Sequence, residues 1–146
     1  MSGASKSLRQ AVRRRALGFR EYCRSRSELT GHEFTLDHII PSSAGGKSRF
    51  QDLCWFCFWC NNYKQARTQA VDPKTSRLVP LFNPRGNQWE THFKWSRDGT
   101  RIIGRSPIGR ATIKALRLNR PFLVQARRIW TRHGLHPPEI TAPRSE

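Results

Sequence analysis

At 146 residues the chain is long enough for one hydrophobic core and short for two. Its 27 Lys and Arg against 10 Asp and Glu leave a formal charge of +17, more than solubility requires, which points to a polyanionic partner with nucleic acid first; a ribosome-associated or generally basic protein would carry the same charge. No apolar run approaches the ~20 residues of a spanning helix, which excludes a transmembrane reading, and four cysteines without an apolar signal segment suggest a soluble protein of the reducing cytoplasm, where thiols bind metal more often than they pair.

Residues 1–15 read as a basic N-terminal arm. Lys6, Arg9, Arg13, Arg14 and Arg15 stand there with no acid among them, and Leu8, Val12 and Ala16 recur at the helical interval, which predicts a helix from Ser7 onward. Arg13, Arg14 and Arg15 are expected to touch phosphate; the plainer alternative is a solvated helix face. Glu28 to Glu33 reads as a loop. Alternation over Phe34 to Ile40 predicts a strand that delivers Asp37 and His38 to its end, where Pro41 stops it.

The following SSAGGKS lacks the spacing of a nucleotide-binding loop. It is expected to join two antiparallel strands and to offer Lys47 and Arg49 to a backbone phosphate. Leu53 to Trp59 predicts the second strand, with Trp55, Phe56, Phe58 and Trp59 as core packing rather than a base-stacking surface. From Asn61, NNYKQARTQAV predicts a helix that ends before Asp72-Pro73, with Asn61 at its N-terminus and Lys64 and Arg67 one and two turns on, turned toward nucleic acid.

Further along, Phe93 to Trp95 and Thr100 to Ile103 flank Arg97-Asp98-Gly99 as a hairpin. Ser106-Pro107 opens one helix and a second begins near Pro121. In the second, Phe122, Leu123, Ala126, Ile129 and Trp130 form an apolar stripe read as core, with Arg127, Arg128 and Arg132 on the other face. No acid occurs from Arg101 to Pro138, which makes that face a second candidate contact for nucleic acid. His32, His92, His133 and His136 read as structural or solvent-exposed, and the stretch after Gly134 as a docked or loose extension.

The chemistry concentrates between Asp37 and Asn61. Oxygens of Asp37 and Asn61 suit a hard divalent ion, neutral His38 can take a proton from water, and the Cys-x-x-Cys of Cys57 and Cys60 suits a softer metal. An Asp-His pair alone would read as a surface salt bridge or a satisfied histidine. The ordered set EYCR (Glu21 to Arg24), DHIIP (Asp37 to Pro41) and CNNYK (Cys60 to Lys64) resembles the HNH endonuclease family, in its bacterial and phage subgroup with a C-terminal extension.

That resemblance implies an α+β fold: a small ββα-metal (His-Me finger) core with flanking helices, then a C-terminal hairpin and helices. The domain would span 16–138, with its core at about 18–70 and a tail at 139–146. It implies a metal-dependent endonuclease that nicks or cuts DNA, with RNA as the other candidate substrate. His38 would be the general base, and Asp37 and Asn61 would hold Mg²⁺ or Mn²⁺. Asp52, where the family more often has Asn, would steady His38, or would merely cap a loop or pair with Arg49. Structural Zn²⁺ would sit on Cys57, Cys60 and Cys23, with Arg20 standing where the family has its remaining cysteine and Cys54 as either a fourth ligand or a core residue. Arg20 and Asp52 also sustain a rival, a non-catalytic nucleic-acid-binding protein that keeps the fold.

Overall fold

The computed structural model describes residues 6–16, 19–26, 29, 35–41, 45–47 and 49–138. Most of the loop expected at 28–33, His32, most of SSAGGKS and the tail from 139 lie outside them.

Helix α1 (Lys6–Arg15) forms where the apolar period runs, and it turns Val12 and the following Ala16 onto Leu36, Leu53 and Trp55. Strands β1 (Thr35–His38) and β2 (Leu53–Phe56) pair antiparallel, with Leu36 opposite Trp55 and Asp37 opposite Cys54. A short 3-10 turn, Phe50–Asp52, leads into β2. All four residues of β2 are buried, as befits a strand covered on both faces.

Helix α2 (Phe58–Lys64) completes a ββα unit, but it starts earlier than expected. The pairing of β2 ends at Phe56, and the Cys57 carbonyl already accepts the Asn61 N–H at 2.9 Å, so Phe58 and Trp59 lie on the helix rather than the strand. Both rings are exposed instead of packed in the core. Asn61 therefore sits one turn inside the helix.

The helix also ends early. Gln65, at φ +54°, breaks it, and the segment expected to continue as helix becomes β3 (Gln69–Val71), paired with β4 (Leu78–Pro80). Asp72 organises that turn: its carboxylate accepts from the Lys74 and Thr75 N–H groups and the Thr75 hydroxyl, and it also receives two bonds from Arg110 at 2.9 Å each. The partner that fixes the hairpin thus lies 38 residues away.

A one-turn helix α3 (Trp89–His92) runs into β5 (Phe93–Trp95), which pairs with β6 (Ile102–Gly104) around the Asp98 turn. Helix α4 (Pro107–Leu116) is capped by Ser106, whose hydroxyl accepts the Gly109 N–H at 3.0 Å. The same hydroxyl lies 2.6 Å from His92 Nδ1, which accounts for the buried His92 as structural. Gly109 is required there, because a Cβ would stand 2.0 Å from the His92 carbonyl oxygen.

Helix α5 (Pro121–Arg132) buries Leu123, Val124 and Arg127 and leaves Phe122 and Ile129 exposed, so the stripe read as core is only partly so. Arg127 is drawn inward because its guanidinium donates to the Thr100 carbonyl at 3.1 Å and the Asn119 amide at 3.3 Å, over the Trp95 ring. Burial lowers its pKa to about 10, and it offers nothing to solvent.

One core joins the ββα unit to the C-terminal elements. Tyr22 stacks on Phe56 at 5.0 Å, Phe82 meets both Tyr22 and Phe93 edge-on, and Trp89 donates its indole N–H to the Tyr22 carbonyl at 3.0 Å. Aromatic pairs of this kind add ~0.5–1.5 kcal/mol each beyond the area they bury. Among the described residues no helix is long and apolar enough to cross a membrane.

Candidate active site and thiol cluster

Asp37 is the hinge of the site. At the end of β1 its Oδ1 accepts the His38 backbone N–H at 2.7 Å and lies 3.3 Å from His38 Nδ1, while its Oδ2 accepts the Asn61 side-chain N–H at 3.0 Å. The β1–β2 register and the start of α2 thus bring together three residues from 24 positions of sequence. Burial pushes the Asp37 carboxyl upward, but the hydrogen bonds from the His38 N–H, Asn61 and the His38 ring outweigh it and hold the group below the usual carboxylate range. An ionised carboxylate facing an amide is a hard oxygen donor set, since a half-turn of the amide exchanges its nitrogen for its oxygen; the residues present fit a divalent cation.

Lys64 holds α2 to β1. It is buried, its Nζ donates to the Ile39 carbonyl at 3.0 Å, and it approaches the Phe56 ring at 5.9 Å. Burial lowers its pKa, and the expected phosphate contact is corrected: the ammonium is consumed inside the fold. Arg15 is likewise drawn in, donating to the Phe50 and Leu53 carbonyls at 2.6 and 2.5 Å while its guanidinium lies over the Phe50 ring. Arg13, Arg14 and Lys47 are exposed. Arg67 is exposed too, although it donates to the Tyr63 and Ala115 carbonyls. Asp52 Oδ2 accepts from Arg49 Nε at 2.6 Å, and its backbone carbonyl accepts the Ile39 N–H.

Behind α2 lies a thiol cluster. Cys23, Cys57 and Cys60 are all buried, with their sulfurs within 4.8 Å of one another. The Cys57-x-x-Cys60 turn at the helix start supplies two, and the loop between the bridged residues Phe19 and Arg26 supplies the third. Tetrahedral zinc, with Zn–S of ~2.3 Å, puts its sulfurs ~3.8 Å apart, so the cluster fits a soft metal. Hydrogen bonding with the Cys57 and Cys60 thiols, and then with Ser25, lowers the Cys23 pKa well below its ordinary value, while sharing with Cys23 raises the other two. Cys54 stands outside the cluster, in the core, where burial pushes its thiol well up. Arg20 is fully buried and donates to the Arg26 carbonyl at 3.2 Å.

Two features gave no signal in sequence. Arg120, one of several bases in a long acid-free stretch, reaches back to place Nη2 3.5 Å from the Cys57 sulfur and Nη1 3.6 Å from that of Cys60. Glu21 accepts the Trp55 N–H at 2.7 Å and pairs with Arg85, which anchors the thiol loop to β2. The EYCR motif contained that acid, but its partners are remote.

Residues 21–77 match the family model of the HNH endonucleases. No curated protein and no solved structure matches the chain.

Proposed function

We infer, from the match of residues 21–77 to the family model of the HNH endonucleases, that this protein hydrolyses phosphodiester bonds of DNA with the help of a divalent metal ion. The observation that carries this reading is the convergence of His38 and Asn61 on the two oxygens of Asp37. Asp37 and Asn61 would hold Mg²⁺ or Mn²⁺, which when bound supplies relief of charge on the scissile phosphate and at the leaving oxygen. His38, oriented by Asp37, takes the proton of the attacking water. Exposed Arg13, Arg14, Lys47 and Arg49 bind the polyanion by charge and set its position rather than read its sequence.

In the same reading the buried cysteines hold Zn²⁺ through Cys23, Cys57 and Cys60. Three thiolates around a divalent ion carry one net negative charge, and Arg120 is the cation that balances it. The metal ties the thiol loop to the first turn of α2 and so fixes the helix that carries Asn61.

The pairing of Asp52 with Arg49 favours a second reading, in which the fold binds nucleic acid without cutting it. A supercoiled-plasmid assay on zinc-replete protein separates the two. Nicked or linear product with Mg²⁺ or Mn²⁺, and none after dialysis into buffer without divalent ions, is the expected result. Unchanged plasmid with both metals would leave the binding module.

A further inference from the structure

We propose that the outer face of α2 is a stacking platform for unpaired bases, so that the protein engages single-stranded nucleic acid beside its Asp37–His38–Asn61 site. The proposal rests on the nucleic-acid reading above and adds the form of the substrate. Phe58 is 49 % exposed and Trp59 42 %, and their rings meet edge to face at 5.3 Å. Trp59 in turn lies 6.3 Å from Tyr63, one helical turn on. Phe58 precedes Asn61 by three positions and so occupies a neighbouring place on the helix surface. A continuous aromatic row therefore leads from the metal-binding amide across the helix.

Cations stand along that row. The Arg117 guanidinium lies 4.8 Å from the Tyr63 ring centroid and Arg67 donates to the Tyr63 carbonyl, whereas Arg120, 5.8 Å from the same ring, is turned to the sulfurs of Cys57 and Cys60. Beyond Tyr63 the surface falls into a groove of about 590 Å³ whose lining includes Trp59, Tyr63, Arg120 and Phe122 and, among the described residues, no carboxylate. Phe122 is 86 % exposed at its edge. Neither Phe58 to Val71 nor Arg101 to Pro138 contains an acidic residue.

Exposed rings with interleaved guanidiniums and no acids fit one ligand chemistry, π-faces joined by a chain of negative charge. A duplex hides its base faces in the stack and offers only edges and phosphates, so rings of this kind add little to duplex binding. An unpaired strand offers both. The charge complementarity argues against a second copy of this chain, itself at +17, as the occupant.

The test is the affinity of the full chain, without added divalent ions, for an unstructured single strand as DNA and as RNA and for the matching DNA duplex. Phe58→Ala and Trp59→Ala touch exposed rings and should melt like wild type. Each is expected to weaken single-strand binding about tenfold and duplex binding less than about twofold, with Trp59→Phe retaining most of the affinity. DNA and RNA strands should lose alike, because stacking does not read the sugar. Unchanged single-strand affinity in both variants overturns the proposal and leaves the row as a surface for an apolar partner; equal losses on single strand and duplex, or a loss confined to one sugar, also overturn it. Binding is independent of cleavage here: His38→Ala should bind single strands as wild type does, so failure of the platform and failure of the nuclease reading are told apart.

Discussion

A basic residue in this chain is not a surface residue by default. Lys64 and Arg127 were both legible in sequence as parts of a cationic face, and both are enclosed, each donating to a main-chain carbonyl inside the fold. Replacing Lys64 by Met should keep the packing on Phe56 but strand the Ile39 carbonyl, with a loss of ~1–3 kcal/mol in a denaturant melt and no change in DNA affinity. A fall in affinity at unchanged stability would return Lys64 to the surface. His136 is enclosed without charge. It sits edge-on to Trp95 at 4.4 Å, and burial, then the positive Arg127, lower its pKa to about 4. The folded state thus binds fewer protons than the unfolded one, where histidine titrates near about 6.5, and stability is lost as the pH falls from there toward about 4. His136→Phe should flatten that part of the curve. Equal melting-temperature losses in wild type and variant across this range would show that His136 is not the group responsible.

At the scale of elements, what could be read followed local pattern and what could not followed distant partners. The α1 period, the strand ending in Asp37-His38, the Asp98 hairpin and the Ser106-Pro107 start each declare themselves within a few residues. LCWFCFW is apolar almost throughout, so nothing in it marks where strand yields to helix; the Cys57 turn decides that, and it moves Phe58 and Trp59 from core to surface. Over Gln69–Val71 the local pattern suggests helix, because the contact that organises the β3–β4 hairpin, Asp72 with Arg110, spans 38 residues. Arg120 was illegible for the same reason. Its place beside two sulfurs would make it a second layer around a metal held by Cys23, Cys57 and Cys60, and such layers carry ~10–100-fold in metal affinity. Arg120→Gln should lose that much in competition with a chromophoric chelator, at an unchanged zinc stoichiometry. Equal affinity would show that the guanidinium only packs there.

For the molecule as a whole, the core shared by Cys54, Phe56 and Cys60 with Phe93, Leu116 and Leu123 means that the C-terminal elements steady the elements that carry the site. The Asp72–Arg110 pair fastens α4 to the β3–β4 hairpin directly after the ββα unit. Arg110, with the bonds from Thr75 and Lys74, holds the Asp72 carboxyl well below the usual range, so its contribution is present above the unfolded carboxylate pKa of about 3.9 and fades as the pH falls toward the folded value. Asp72→Asn should therefore destabilise the protein near neutrality and converge with wild type in strong acid; a gap independent of pH would contradict the ionic account. The central claim, that the residues meeting at Asp37 form a working phosphodiesterase site, is tested most directly by the rate of supercoiled-plasmid cleavage in His38→Ala at matched zinc content and matched DNA affinity. A general base contributes ~10²–10⁴-fold, so cleavage should fall by about that factor while binding and melting temperature stay at wild-type values. Cleavage by His38→Ala at the wild-type rate would contradict the account.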